Sequence, residues 1–185
     1  MKSSEYKPLA SLLRPKSLSK YVGQSHLISE HGTISRMLEQ KNCYSMIFWG
    51  PPGTGKTTLA YLIAEQLDAD VIELSAINSG VKEIRAAIGE VSGSLTAGTV
   101  DLFAKQKVVF VDEIHRFSKS QQDVFLPYVE SGHIILIGAT TENPSFSVNR
   151  ALLSRLRVFI LEKLTIADLT KLLKNAIEFL QERDN

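Results

Sequence analysis

Apolar residues in this chain fall into two alternating patterns. Five short, mainly apolar runs have the length of buried strands, and they lie at 45–49, 70–74, 107–111, 133–137 and 157–161. Between them are longer stretches in which apolar residues recur every three or four positions, as they do on one face of a helix. This alternation predicts an α/β fold in which a five-stranded parallel sheet is covered by helices.

Helical spacing is clearest at 56–67, where Leu59, Ile63 and Leu67 are four residues apart. It also predicts helices at 81–91, 118–130 and 149–156, with Ser118 as an N-cap. The segment 93–98 is rich in Ser, Thr and Gly, and we expect a loop there.

The C-terminal stretch 165–182 predicts a further helix, with Thr165 as N-cap and Asp168 as an acidic residue in the first turn. Its apolar stripe is wide, and consists of Ile166, Leu169, Leu172, Leu173, Ala176 and Leu180. A helix with so broad an apolar face needs partners beyond one sheet. We therefore expect this helix to begin a further unit of a longer protein.

Composition excludes several classes of protein. The 185 residues are 44% hydrophobic and 22% charged, with a net charge of +1, so no global basic field indicates nucleic-acid binding and any DNA site would be a local patch. The single cysteine, Cys43, permits neither an intrachain disulfide nor a cysteine-rich metal site. No apolar run reaches the length of a membrane span, and the N-terminus lacks the apolar stretch of a signal peptide. We expect a cytoplasmic protein.

The segment Gly50-Pro-Pro-Gly-Thr-Gly-Lys-Thr57 fits the phosphate-binding P-loop pattern, and it follows a predicted strand and opens a predicted helix. Glycines let backbone N–H groups turn towards phosphate oxygens at the positive end of that helix. Lys56 would reach the β- and γ-phosphates of ATP, and the Thr57 hydroxyl would bind Mg²⁺. The predicted nucleotide-binding residues of the loop are Pro52, Gly53, Thr54, Gly55, Lys56, Thr57 and Thr58.

Asp112 and Glu113 follow the predicted strand 107–111. Asp112 is placed to bind Mg²⁺ at the carboxyl end of that strand, where open α/β sheets hold their ligands. Glu113 is a candidate general base that orients water for attack on the γ-phosphate. An Asp-Glu pair alone is usually a solvated strand end, but together with a P-loop it predicts ATP hydrolysis.

Other candidate site residues lie further along the chain. Asn143 follows the strand 133–137, where an amide could contact the attacking water, although Asn143-Pro144 alone is typical of a turn. Arg155 ends a short predicted helix and could stabilise transition-state charge in a neighbouring subunit, the alternative being a surface salt bridge. The four histidines show no zinc-ligand spacing, and none is assigned to catalysis.

Together these segments resemble the AAA+ ATPases, in their clamp-loader-like branch, and most of all the replication-associated recombination protein A family. The resemblance spans nearly the whole chain, and its most specific parts are Asp112-Glu-Ile-His-Arg-Phe117 and Gly138-Ala-Thr-Thr-Glu-Asn-Pro-Ser-Phe146. One departure is Leu156 after Ser154-Arg155, where many clamp-loader-like members have cysteine.

The resemblance implies a AAA+ subdomain over residues 1–163, with strand order 5-1-4-3-2, and the first helix of a helical lid over 164–185. Asn143 would be sensor 1, Arg155 would be an arginine finger acting in trans, and Val22, Gly23 and Gln24 would lie nearest the adenine. The implied cofactors are ATP and Mg²⁺. The implied partners are DNA at forks, gaps or duplex ends, single-stranded DNA-binding protein, and further copies in a tetramer, whose ATPase is stimulated by DNA.

Three other functions compete with this hypothesis. A branch-migration motor like RuvB would share the fold and much of the N-terminal pattern, but the two specific segments argue against it. A nucleotide-gated scaffold would bind ATP without turnover, yet it would have no need of Glu113, Asn143 and Arg155 together. A kinase is a weaker alternative, because no acceptor-substrate site is evident.

Overall fold

The computed structural model describes residues 9–75, 79–91 and 107–184. The predicted loop at 93–98 lies outside these residues. Within them, a five-stranded sheet is formed by β1 (Met46–Trp49), β2 (Asp70–Ser75), β3 (Lys107–Asp112), β4 (Ile135–Thr140) and β5 (Arg157–Ile160). The order is β2-β3-β4-β1-β5 and every pairing is parallel, which confirms the predicted sheet, read from its other edge.

The helices of the described residues differ greatly in length. Three are long: α4 (Lys56–Gln66), α5 (Val81–Val91) and α10 (Ile166–Asp184). Short ones are α1 (Leu9–Leu12), α2 (Ser25–Ile28), α3 (Thr33–Glu39), α6 (Lys119–Asp123), α7 (Leu126–Glu130), α8 (Pro144–Ser147) and α9 (Arg150–Leu153). Single 3₁₀ turns occur at Leu18–Lys20 and Ile114–Arg116.

The core has two halves, because successive strand residues point to opposite faces of the sheet. Phe48 of β1 belongs to the half that packs against α3 and α4, whereas its neighbour Ile47 belongs to the half that packs against α5. The first half includes Ile34, Met37, Leu59, Ile63, Phe110 and Ile137. The second includes Ile84, Ile88, Val109, Val111, Phe125 and Leu136. Burial on both faces explains why the central strands are almost continuously apolar in sequence.

Several predicted boundaries were wrong. Strand β4 starts later than the predicted 133–137 and continues to Thr140. The hydrophobic pattern did not reveal this extension, because Gly138 and Ala139 are small residues. The strand is nevertheless closely packed there, since a Cβ added at Gly138 would lie 3.1 Å from the Ile114 side chain. The predicted helix 149–156 is only Arg150–Leu153, with the Asn149 side chain capping it through Ala151 N.

The predicted helix 118–130 is in fact two helices. Ser118 caps α6 as expected, in a reciprocal capping box with Gln121. The chain then breaks before α7, which carries Pro127 in its first turn. Proline lacks the N–H that an uninterrupted helix requires and is tolerated only at such a start.

Helix α10 is capped by the predicted residues. Thr165 Oγ1 donates to Asp168 Oδ2 at 2.7 Å and accepts from Asp168 N at 3.2 Å. The hydrogen bonds from the Thr165 side chain and backbone hold the pKa of Asp168 below its ordinary value. Much of the apolar stripe of α10 is exposed, with Ile166 85% and Leu173 65% accessible.

Across the described ranges, none of the helices combines the length and apolarity that crossing a bilayer requires.

The junction between β1 and β5 yields a test of the packing. A Cβ added to Gly50 would lie 2.2 Å from the backbone oxygen of Leu161, which cannot yield without moving β5. We expect Gly50→Ala to lower the free energy of unfolding by about 1–3 kcal/mol, as overpacking does. Urea denaturation followed by circular dichroism measures this change.

Gly89 of α5 is the matched control, because an added Cβ there meets no atom within 4 Å. We expect Gly89→Ala to raise the free energy of unfolding by about 0.5–1 kcal/mol, since alanine is the better helix former. Equal effects of the two substitutions would contradict the close approach of β1 and β5.

Candidate active site

The predicted site residues follow three adjacent strands of the sheet. Gly50 comes directly after β1, Asp112 ends β3 and Thr140 ends β4. Because these strands are parallel and lie in the order β3-β4-β1, their carboxyl ends share one edge. That edge is where open α/β sheets bind ligands.

The loop after β1 has the backbone of a phosphate cradle. Gly53 and Gly55 both have left-handed conformations, with φ of 76° and 93°. A Cβ at Gly55 would lie 2.1 Å from the Tyr21 hydroxyl, whereas a Cβ at Gly53 would meet nothing within 4 Å. One side of the loop is therefore closely supported and the other is open, as an anion-binding loop at a helix N-terminus requires.

Lys56 is folded into this loop. Its Nζ donates to the backbone oxygens of Gly50 at 2.7 Å and Pro51 at 2.9 Å, and the residue is only 7% exposed. Burial lowers the pKa of Lys56, while the charges of Glu113 and Asp112 act in the opposite direction. The amine is thus held at the base of the loop, close enough to the carboxylates of β3 to interact with them.

Asp112 and Glu113 lie side by side at the end of β3. Burial raises the pKa of Asp112 and the neighbouring Glu113 charge adds to this, while the Glu113 N–H, which donates to Asp112 Oδ1 at 3.1 Å, opposes it. Glu113 itself has a left-handed backbone, with φ of 50°. Such a conformation costs a non-glycine residue about 1–2 kcal/mol and is found preferentially at functional sites.

The Glu113 carboxylate is held by side chains that the sequence analysis did not assign to the site. Its Oε2 accepts from Thr141 Oγ1 at 3.3 Å and lies 3.1 Å from Nδ1 of His115. The sequence analysis assigned no histidine to the site, whereas the structure places His115 beside the Glu113 carboxylate. A better signal is its position two residues after a candidate base at a strand end.

Asn143 lies at the same edge, where it caps α8 instead of forming a simple turn. Its Oδ1 accepts from Ser145 N at 3.0 Å, so the Nδ2 group is the one able to donate to a water or a phosphate oxygen. Helix α8 was missed because Pro144 suggested a turn, whereas proline is favoured in the first turn of a helix.

Arg155 has partners outside this edge. Its guanidinium contacts Glu130 Oε1 at 2.6 Å and donates to Ala151 O at 2.7 Å and to Ser154 Oγ at 3.0 Å. The side chain is 40% exposed. The structure therefore places Arg155 on the surface near α7 and α9. This position is compatible with both predicted roles, a surface salt bridge and a residue that acts on a neighbouring subunit.

The segment 22–24 contacts both the P-loop and the chain entering α10. The Gln24 amide donates to Thr54 O at 3.3 Å and to Glu162 O at 2.7 Å, and accepts from Glu162 N at 2.9 Å. Gln24 is 6% exposed, Val22 is 8% exposed, and the neighbouring Tyr21 hydroxyl also donates to Thr54 O. The Gln24 side chain thus joins the P-loop to the segment that follows β5.

The residues present fit a magnesium nucleotide. No group of three or more His, Cys, Asp or Glu side chains that could hold a metal occurs in the part of the chain that the structure describes. Mg²⁺ in nucleotide sites is commonly bound by one or two protein oxygens together with phosphate oxygens and water. Thr57 and Asp112 would supply a donor set of that kind, since Thr57 lies in the first turn of α4 after the P-loop and Asp112 ends β3.

A separate cavity of about 510 Å³ lies between the N-terminal segment and α4, lined in part by Arg14, Lys16, Tyr61, Glu65 and Val71. The Arg14 guanidinium lies 4.7 Å from the centre of the Tyr61 ring. Burial and the hydrogen bond to Glu73 raise the pKa of Tyr61 to about 12. This cavity is lined by side chains of both charge signs and lacks a glycine-rich loop, so its chemistry does not match that of a nucleotide site.

The fold and the loop at its edge define a P-loop α/β protein of the AAA type. Residues 46–164 match the family model described as "ATPase family associated with various cellular activities (AAA)". This chain belongs to that family.

Its relatives are more specific. The chain is 51% identical to replication-associated recombination protein A of Haemophilus influenzae over 175 residues, which cover 95% of this chain and 38% of that protein. It is 45% identical to ATPase WRNIP1 of Dictyostelium discoideum, over 96% of this chain and 20% of that protein. These similarities confirm the family resemblance. The chain spans well under half the length of these relatives.

Among solved structures, the chain resembles the RuvB Holliday junction branch migration motor of Thermotoga maritima. The TM-score is 0.71 at 29% identity, over 91% of this chain and 55% of that chain. The similarity supports the same α/β architecture and the same strand order.

The Gln24 contacts predict a measurable contribution to stability. Gln24→Leu removes three hydrogen bonds at a buried position and leaves backbone groups of Thr54 and Glu162 without this partner. We expect the free energy of unfolding to fall by about 1–3 kcal/mol, the cost of unsatisfied buried groups. Gln66→Leu, at an exposed position of α4, is the control. Urea denaturation measures the free energy of unfolding of both variants. Equal values for the two would contradict the stabilising role of Gln24.

Proposed function

We propose that this chain is the nucleotide-binding part of an ATPase that hydrolyses Mg-ATP. One observation carries the proposal: three groups lie at one edge of the sheet, each after one of three neighbouring parallel strands. They are the glycine-rich loop with its buried lysine after β1, the Asp-Glu pair at the end of β3, and the asparagine amide after β4. Membership of the AAA family supports the same activity.

Each residue has a chemical role in this proposal. Backbone N–H groups of residues 53–57 and the Lys56 ammonium bind phosphate oxygens, and Thr57 with Asp112 would hold Mg²⁺. Bound Mg-ATP supplies the electrophilic γ-phosphate. Glu113 accepts a proton from the attacking water, and the Asn143 amide orients that water. Residues 22–24 contact the adenine through their backbone.

Arg155 is proposed to act on a neighbouring subunit. Arg155 lies on the surface near α7 and α9 with an exposed side chain, so its guanidinium could leave Glu130 and bind a phosphate in the site of another copy. An arginine supplied in this way stabilises the negative charge of the transition state. The active form would then be a homo-oligomer, which we propose to be a tetramer of the longer protein.

We further propose that the longer protein acts at stalled replication forks, gaps or duplex ends, with DNA stimulating its ATPase and single-stranded DNA-binding protein as a partner in the cytoplasm. The name of the relative with 51% identity supports a role in replication-associated recombination. A RuvB-like branch-migration motor is the second candidate, favoured by the fold similarity but at only 29% identity. In either case residues 1–163 would form the nucleotide-binding unit, and 164–185 would begin a lid.

Two substitutions separate binding from hydrolysis. Lys56→Ala removes the ammonium that contacts phosphate, and we expect ATP affinity to fall about 10- to 100-fold, as for other hydrogen bonds to charged groups. Glu113→Gln keeps the shape of the site but not the base, so affinity should persist while turnover falls about 100-fold or more. Titration with a fluorescent ATP analogue and a phosphate-release assay measure the two quantities, with circular dichroism as the control for folding. Unchanged affinity of Lys56→Ala, or wild-type turnover of Glu113→Gln, would refute the respective role.

Arg155 is tested by complementation between subunits of the full-length oligomer. Arg155→Ala should bind ATP normally but lose turnover, because it lacks only the residue supplied in trans. Lys56→Ala should also lose turnover, while keeping a functional Arg155. We expect a mixture of the two variants to regain part of the turnover, measured as phosphate release after subunit exchange. Absence of any recovery would mean that Arg155 acts within its own subunit or only stabilises the fold through Glu130.

A further inference from the structure

His115 lies between the ends of two strands that carry the proposed catalytic groups. Its Nδ1 is 3.1 Å from Glu113 Oε2, after β3, and 2.9 Å from Thr140 Oγ1, the last residue of β4. Its Nε2 is 3.6 Å from Glu142 Oε1. The side chain is only 11% exposed. The ring therefore connects Glu113 to the turn that leads into Asn143.

The surroundings of Nδ1 determine which nitrogen carries a hydrogen. The Thr140 hydroxyl lies 2.9 Å from Nδ1 and donates its one hydrogen to Glu142 O, so the contact with the ring requires a hydrogen on Nδ1. The Thr140 hydroxyl is compatible with this assignment, because it accepts from Glu142 N at 3.1 Å and donates to Glu142 O at 3.3 Å. Nδ1–H therefore donates to Thr140 Oγ1, and the same nitrogen lies 3.1 Å from Glu113 Oε2.

The backbone around His115 is fixed by other residues. It lies in the 3₁₀ turn Ile114–Arg116, whose Ile114 side chain is fully buried. The Gln122 amide donates to Ile114 O at 3.4 Å and to Phe117 O at 3.0 Å. Substituting the imidazole should therefore leave the turn in place and change mainly the restraint on Glu113.

We propose that His115 is a positioning residue that holds the Glu113 carboxylate through Nδ1–H and couples it to the turn carrying Asn143. This inference rests on the proposed function of Glu113. Without the ring, the remaining side-chain donor to Glu113 Oε2 is Thr141, at 3.3 Å. A glutamate side chain that is 31% exposed would then sample other rotamers, and small displacements of a catalytic group cost rate.

The test uses three substitutions that separate the two ring nitrogens. Asn places an N–H near the position of Nδ1, Gln places one near the position of Nε2, and Ala removes both. We expect His115→Ala and His115→Gln to lower kcat on the order of tenfold. His115→Asn should recover most of that loss. KM and ATP affinity should stay unchanged in all three, because phosphate binding does not involve the ring.

Two further variants exclude a general effect on the protein. His133→Ala, at an exposed histidine whose ring contacts Ser131, should keep the wild-type rate. Adding His115→Ala to Glu113→Gln should cause no further loss of turnover, because the carboxylate that His115 holds is already absent. Equal losses in the Ala, Asn and Gln variants, a rise in kcat, or a rise in KM with unchanged kcat would each overturn the proposal.

A readout without turnover keeps the inference separate from the proposed function. Long-range ¹H–¹⁵N spectra of the imidazole report which nitrogen carries the hydrogen. We expect Nδ1–H for His115 in the wild-type chain, with a shift of its resonance in Glu113→Gln. A ring with hydrogen on Nε2 alone, and no response to Glu113→Gln, would overturn the role of His115. Correct spectra without any ATP binding or turnover would instead refute the proposed function.

Discussion

Backbone hydrogen bonds between β1 and its two parallel neighbours, β4 and β5, hold the centre of this molecule together. They align Trp49 with Thr140 on one side and with Ile160 on the other. Since β3 pairs in parallel with β4, three strands end at the same edge. The P-loop, Asp112, Glu113 and Asn143 therefore lie at one edge of the sheet. A one-residue slip in register would turn the buried side chains of a strand to the opposite face.

Polar contacts at that edge link the strand ends to one another. Gln24 ties the P-loop carbonyl of Thr54 to Glu162, beyond β5, while His115 ties Glu113 to the end of β4. Both Gln24 and Glu113 have left-handed backbones, with φ of 54° and 50°. The site is therefore restrained by side chains that reach between neighbouring segments, in addition to the glycine-rich loop.

The sequence pattern predicted the layered fold and the position of the P-loop, because long buried runs and a glycine-rich loop are signals within single segments. The strand order was implied only by the family resemblance, and the sheet has that order. It missed the end of β4, since Gly138 and Thr140 are not apolar although both pack closely. It also missed His115, Tyr21 and the role of the Gln24 side chain. Their contacts join residues up to 138 positions apart, as between Gln24 and Glu162, and depend on backbone angles that composition does not encode. The binding and catalytic roles assigned to individual residues stay predictions.

The central claim is that the edge formed by β1, β3 and β4 binds Mg-ATP. Two-dimensional ¹H–¹⁵N spectra of the labelled chain, recorded during titration with Mg²⁺ and a non-hydrolysable ATP analogue, test it most directly. The account predicts saturable shifts concentrated at the amides of residues 53–58, 112–113 and 143, with smaller ones at 22–24. Shifts confined to the cavity beside Arg14 and Tyr61, or no shifts at millimolar nucleotide, would contradict it.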